Sequence, residues 1–172
     1  MFRWIYIQPF RIIIAMMIVA ALAWSILCRI MRKELLWIIS IALLIPIVAL
    51  IVYYTIYSRN VGAHDLILIP FFSFCEAIER PEMYREMFMN IFMFYPIGLI
   101  FPFCLPECIR HRYILLIISS LVFSVIIEVT QLTLHLGRCE VDDVIMNTFG
   151  AGVGGIPFVL LRPIDNKRKK GR

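Results

Sequence analysis

The segment LHLGRCEVDDVIMNTFGAGVGG, residues Leu134–Gly155, connects two long apolar runs through a short polar turn. The turn contains a cluster of charged side chains, namely Arg138, Glu140, Asp142 and Asp143. After the turn the chain becomes apolar again, with Asn147 and a series of glycines inside the run. Because polar groups at membrane depth are costly, they mark by default either a functional site or a packing contact.

The composition of the whole chain predicts a bundle of membrane-spanning helices. Hydrophobic residues make up 62% of the 172 residues, and the mean hydropathy is +0.88. Long apolar runs without alternation indicate helices rather than a β-barrel. The length allows about five spans of roughly 20 residues, so we expect one membrane domain over residues 1–172. The basic residues lie at the ends of apolar runs and form no nucleic-acid-binding patch.

Five spans are predicted from the apolar runs, at about Ile12–Cys28, Leu35–Ile56, Phe88–Leu105, Tyr113–Leu136 and Val144–Leu161. The segment Ser58–Met87 between the second and third spans is too polar to cross the membrane. Within it, Leu66–Phe72 is apolar but short, which predicts a re-entrant or interfacial segment. Glu76–Glu86 predicts a short amphipathic surface helix that is broken by Pro81.

The distribution of basic residues predicts the orientation of the bundle. Lysines and arginines are more numerous on the side that carries residues 162–172. This bias predicts an outside N-terminus and an inside C-terminus, with residues 162–172 as a basic cytoplasmic tail. The turn before the fifth span then faces outward.

Polar residues follow one face of the fourth predicted helix, at Ser120, Ser124, Glu128, Gln131 and His135. A polar stripe on an apolar helix must face the bundle rather than lipid. We therefore predict that the last three helices pack together through small or helix-interrupting residues, namely Pro96, Gly98, Gly150 and Gly154. Site candidates then converge beneath the outer surface, namely Asn90, Glu128, Gln131, Asp142, Asp143 and Asn147, with Arg138 above them.

Several interpretations of these residues stay open at this stage. Asp142 or Asp143 could cap the fifth helix, and Gln131 and Asn147 could be interhelical hydrogen-bond partners. The oxygen-rich set could hold a divalent cation, although no cofactor or metal is required. Glu128 could act as a general acid or base on a lipid-linked substrate. The site could also bind an amphiphile, with the third helix contacting its acyl chain. No nucleophile signature accompanies the cluster, which disfavours an enzyme.

Three stretches together resemble the VanZ-like family, over roughly Asp65–Leu161. They are LIPFFS (Leu68–Ser73), Arg85–Phe103 and Ser120–Gly155. The matching positions are Asn90, Phe94, Pro96 and Gly98, then Glu128 and Gln131, then Gly137, Arg138, Asp142, Asp143, Asn147 and Gly150. Glu140 departs from the family pattern, which has an aspartate there.

The resemblance implies a multi-pass protein of the bacterial plasma membrane. The family is named for a member associated with reduced susceptibility to teicoplanin, a glycopeptide antibiotic with a lipid tail. Our leading prediction is that an outward-facing polar pocket binds a lipoglycopeptide or a lipid-linked cell-wall precursor. The alternatives are a membrane enzyme acting on such a substrate and a non-catalytic assembly protein.

Overall fold

A computed structural model describes residues 3–59 and 65–161, with side chains from Phe10 onward. The predicted tail, residues 162–172, lies outside the described residues. In chain order the elements are α1 (Arg3–Ile30), α2 (Lys33–Val52), a π-helical turn (Tyr53–Tyr57), β1 (Leu66–Ile67), α3 (Phe72–Glu79), α4 (Glu82–Cys104), α5 (Arg112–Thr133), β2 (Cys139–Glu140) and α6 (Val141–Gly154).

The prediction of an all-helical membrane bundle is confirmed. Within the described ranges, five helices are long and apolar enough to cross a bilayer, at Phe10–Ile30, Lys33–Tyr57, Glu82–Cys104, Arg112–Thr133 and Val141–Leu161. We call the end that carries the turn between α5 and α6 the Arg138 end. The opposite end, where α4 connects to α5, is the Arg112 end.

Two helix boundaries differ from the sequence prediction. The predicted surface helix Glu76–Glu86 is divided at Pro81, so that its second half forms the first turns of α4. Proline lacks a backbone N–H, which makes it favourable at a helix start, where that group would have no partner within the helix. At the Arg138 end, α5 stops at Thr133, and His135 has a φ of 55°. His135 therefore lies outside the helix and is not part of its polar stripe.

The core of the bundle lies around α4. In the most apolar stretch of α4, half of the residues are buried inside the protein. In that of α1 only 6% are, so α1 is mainly lipid-facing. One apolar cluster joins α2, α4, α5 and α6 through Ile51, Phe94, Ile97, Leu116, Ile127 and Ala151. A second cluster joins α1, α2 and α4 through Trp24, Leu36, Tyr95, Leu99 and Ile100.

The crossing of α4 and α6 depends on the absence of side chains at three glycines. A Cβ atom on Gly98 would lie 1.9 Å from the Ala151 carbonyl oxygen. On Gly150 it would lie 2.2 Å from the Ile91 oxygen, and on Gly154 2.1 Å from the Tyr95 oxygen. Small residues allow such close backbone contact, which is a main source of helix association in membranes.

The connecting segment between α2 and α4 is held against the turn that precedes α6. Its strand β1 pairs in parallel with β2, with Leu66 opposite Cys139 and Ile67 opposite Glu140. The Cys139 amide donates to the Asp65 carbonyl over 2.9 Å. This two-residue ladder brings α3 to the Arg138 end, where the candidate residues lie.

Candidate functional site

A direct hydrogen bond links α4 and α6 at the Arg138 end. The Asn90 side-chain amide donates to Asp143 Oδ1 over 2.6 Å. Asn90 is buried and Asp143 is half-buried. Because Asp143 lies in the first turn of α6, its negative charge also interacts favourably with the positive end of that helix dipole.

Glu128 lies behind this pair, on α5. Its side chain is 3% exposed, and its Oε2 atom accepts a hydrogen bond from the Glu140 backbone amide over 3.2 Å. Glu128 and Asp143 are close enough to interact electrostatically, and the positive charge of Arg59 acts on both carboxyl groups. The structure thus brings Asn90, Glu128 and Asp143 into one cluster.

Asp142 has a different partner from its neighbour. One carboxylate oxygen accepts from the Phe71 amide over 2.6 Å, and the other accepts from the Ser73 amide over 2.7 Å. These amides belong to the first turn of α3, where backbone N–H groups lack partners within the helix. Asp142 therefore caps α3, which is distant from it in the sequence, rather than α6.

Arg138 covers the cluster from the side of α3. Its Nη1 atom lies 3.0 Å from Glu76 Oε2 and 3.6 Å from Glu140 Oε1, and the Ser73 hydroxyl donates to Glu140 Oε2 over 2.9 Å. The hydrogen bond to Glu76 raises the pKa of Arg138 above its usual value, so the guanidinium stays charged. Burial raises the pKa of the neighbouring Cys139 thiol, which disfavours a reactive thiolate.

Gln131 and Asn147 point away from this cluster. The Gln131 amide donates to the Thr55 carbonyl over 2.9 Å, within the π-helical turn after α2. The Asn147 amide donates to the Ser124 hydroxyl over 2.8 Å, one turn deeper in the bundle than Glu128. The side-chain carbonyl oxygens of Gln131 and Asn147 are buried without a hydrogen-bond partner, as is the Ser120 hydroxyl.

No group of three or more His, Cys, Asp and Glu side chains is arranged to hold a metal ion in the ranges 3–59 and 65–161. A cavity of about 490 Å³ lies elsewhere, between α5 and α6, and none of the seven candidate residues lines it. The arrangement at the Arg138 end is instead a network of carboxylates, amides and guanidinium groups that joins four segments of the chain.

Three members of this network are not among the site residues predicted from the sequence, namely Arg59, Ser73 and Glu76. Arg59 lies beside Gly137, whose φ of 132° favours glycine and where an added Cβ would be 3.2 Å from the Arg59 guanidinium. Ser73 ends the quoted LIPFFS stretch, which could have marked it. Nothing in the sequence marks Arg59 or Glu76, because both lie in a polar connection that is distant in sequence from their partners.

These observations define a multi-pass helical membrane protein with a buried polar cluster at one end. The VanZ/LLP1 family model matches residues 38–162, well over half of the chain. The protein therefore belongs to the VanZ-like family. The match begins within α2 rather than near Asp65, which agrees with the packing of α2 against α4. A search of curated proteins and a search of solved structures each found no match.

Proposed function

We propose that this protein lowers the susceptibility of a bacterium to teicoplanin by binding a lipid-tailed or cell-wall-linked ligand at the Arg138 end. The observation that carries the proposal is the position of a polar cluster beside an exposed apolar segment at the same end of the bundle. An amphiphilic ligand needs both surfaces at once, one for its polar headgroup and one for its tail. We place the protein in the plasma membrane as a single multi-pass domain.

The polar part of the proposed site is centred on Asp143. This carboxylate is half-buried, whereas Glu128 and Asp142 are fully buried. Asp143 thus forms the accessible edge, and the buried side chains of its partner Asn90 and of Glu128 lie behind it. A ligand that donates hydrogen bonds or carries an amine would complement this acidic edge.

The apolar part is the segment that enters α3. Five side chains are exposed there, at Leu68, Ile69, Phe71, Phe72 and Phe74, with exposed fractions between 38% and 65%. Phe71 has a φ of 64°, a backbone conformation that is strained for an aromatic residue. Asp142 holds the segment in this position through the Phe71 amide. We infer that these side chains contact the outer leaflet and the lipid tail of the ligand.

A susceptibility assay tests the polar part of the site. Wild type, Glu128→Gln and Asp143→Asn would be expressed at equal membrane levels in a host sensitive to glycopeptides. We expect both variants to lose most of the protection against teicoplanin, and none of the proteins to protect against vancomycin, which lacks the lipid tail. Glu82→Gln, an exposed acid at the start of α4, is the matched control. Full protection by both site variants would rule out the polar cluster as the ligand site.

A second candidate function is catalysis on a lipid-linked substrate. The proximity of Glu128 and Asp143 favours it, because two interacting carboxyl groups in different environments are a common acid–base arrangement. Such a reaction could use a divalent cation, although none is required. Incubation of the purified protein with a peptidoglycan lipid precursor, with and without chelator, tests this alternative by mass spectrometry. An unchanged substrate mass would exclude catalysis on that precursor.

A further inference from the structure

A second surface of the molecule lies in a groove between α5 and α6, which none of the candidate residues lines. The groove has a volume of about 490 Å³. The α5 side is formed by Tyr113, Ile117 and Leu121, and the α6 side extends from Val144 to Ile156. Leu121 and Ile156 are exposed at its edges, so the groove opens towards the surrounding lipid.

The dimensions and chemistry of the groove match an acyl chain. At 1.5 Å per residue, the α6 side is about 18 Å long, whereas one leaflet of the hydrocarbon core is about 15 Å deep. Apart from the hydroxyls of Tyr113 and Thr148, the side chains that line the groove are apolar. An apolar groove of about leaflet depth is suited to one extended acyl chain.

Close packing fixes the floor of the groove at the Arg112 end. The Tyr113 hydroxyl donates to the Gly152 carbonyl over 3.1 Å. A Cβ on Gly155 would lie 2.6 Å from Leu116 Cδ2 and 2.8 Å from Tyr113 Cε2. The Tyr113 and Leu116 side chains of α5 therefore pack directly on the α6 backbone at this end. This contact keeps the groove open above it as a preformed feature.

Positively charged side chains lie at this same end of the groove. Arg112 directly precedes Tyr113, and its guanidinium carbon lies 6.0 Å from the centre of the Phe158 ring on the segment that follows α6. Arg110 is exposed in the adjoining turn. The nearby acid Glu107 is paired with Lys33, which offsets its negative charge. The mouth of the groove at the Arg112 end is thus basic.

We propose that the groove between α5 and α6 is a binding site for an anionic phospholipid, with one acyl chain in the groove and the headgroup phosphate beside Arg110 and Arg112. Basic residues at a membrane interface attract anionic lipids, and the apolar groove adds contact area that a smooth helix face lacks. This site is distinct from the proposed ligand site, because none of the candidate residues lines the groove and the basic headgroup end lies at the opposite end of the bundle.

Native mass spectrometry of the detergent-purified full chain tests the proposal. The probes are phosphatidylglycerol and phosphatidylcholine with identical acyl chains. Wild-type protein should retain phosphatidylglycerol about 25-fold more tightly, which is the effect expected for two basic contacts of about 1 kcal/mol each. Equal retention of the two lipids would overturn the role of the basic mouth, and this comparison needs no variant.

Matched variants separate the headgroup contact from the groove. Arg112→Gln should weaken phosphatidylglycerol retention about fivefold, whereas Arg32→Gln, an exposed arginine at the same end near α2, should not. Leu121→Trp fills the groove and should weaken retention of both lipids. Ile118→Trp is its control, because Ile118 is exposed on α5 but does not line the groove. If Leu121→Trp retained both lipids as tightly as wild type, the acyl chain would have to bind elsewhere, and this result would overturn the proposal.

Discussion

The two ends of the bundle are held together by different kinds of contact. At the Arg138 end, carboxylates bond to groups that are distant in sequence, as in the contacts of Asp142 with Phe71 and Ser73. Towards the Arg112 end, α4, α5 and α6 meet through glycines, and the described ion pair there joins the exposed side chains of Lys33 and Glu107. Polar networks require particular partners, whereas glycine contacts require only the absence of a side chain.

This difference suggests a division of roles. The glycine crossing has no polar group that could be released to a ligand, and it is suited to fixing the helix arrangement. The polar end contains several groups whose bonds could be exchanged for bonds to a ligand, with Asp143 the most accessible of the buried set. Four substitutions test the comparison, and they are ordered by the size of the expected effect.

Gly154→Ala should have the largest effect. The added Cβ would lie 2.1 Å from the Tyr95 carbonyl oxygen, which belongs to the backbone and cannot turn away. We expect a loss of about 3 kcal/mol or more in the free energy of unfolding, measured by thermal or denaturant unfolding in detergent. Gly152→Ala is the control, because its Cβ would be 3.3 Å from the flexible end of Ile117. Equal losses in both variants would mean that the close crossing is not the cause.

Asp142→Asn should have the next largest effect. The substitution keeps the shape of the side chain but replaces one of two acceptor oxygens, each bonded to a buried or half-buried amide of α3, by an amide donor. We expect a loss of about 2 kcal/mol and faster hydrogen exchange at the Phe71 and Ser73 amides. Exchange in α5 should stay unchanged. Glu82→Gln serves as the control, and unaltered exchange at Ser73 would contradict the capping role.

Arg138→Gln should have a moderate effect. The arginine side chain is 34% exposed and Glu76 is 14% exposed, so solvent screens the pair only in part. We expect a loss of about 1 kcal/mol, which should decrease in high salt because the interaction is electrostatic. Arg80→Gln removes the more exposed partner of the same glutamate and should cost less. A larger loss for Arg80→Gln would reverse the assigned order.

Lys33→Gln should have the smallest effect. The side chains of Lys33 and Glu107 are 57% and 52% exposed, and exposed pairs stabilise proteins by at most about 1 kcal/mol and often by nothing measurable. We therefore expect an unfolding midpoint within error of wild type. A substantial loss would mean that the Arg112 end also depends on polar contacts, and the contrast between the two ends would fail.

Much of the architecture could be predicted from the sequence, because it depends on local composition. Apolar runs predict spans, and small residues spaced by four, such as Gly150 and Gly154, predict close packing. The spacing of polar residues along α5 predicts that Glu128 and Ser124 lie on its inward face. These inferences need only helical periodicity and the cost of exposing polar groups to lipid.

The partners of the polar residues could not be predicted in the same way. From the sequence, capping of its own helix is one of several open interpretations for Asp142. In the structure Asp142 caps α3, which lies about 70 positions earlier in the chain. Gln131 has the expected burial but bonds to the Thr55 carbonyl in a π-helical turn. Periodicity determines which face a side chain occupies, but it does not determine which distant backbone group lies opposite that face.

Hydrophobicity and periodicity are local properties, so they predict a helical membrane bundle with polar groups at one end of its last three helices. Only the three-dimensional fold shows which partners the acidic residues of the segment LHLGRCEVDDVIMNTFGAGVGG contact. Asp143 bonds to Asn90 of α4 and Asp142 bonds to the amides of α3, since adjacent residues at a helix start point in different directions.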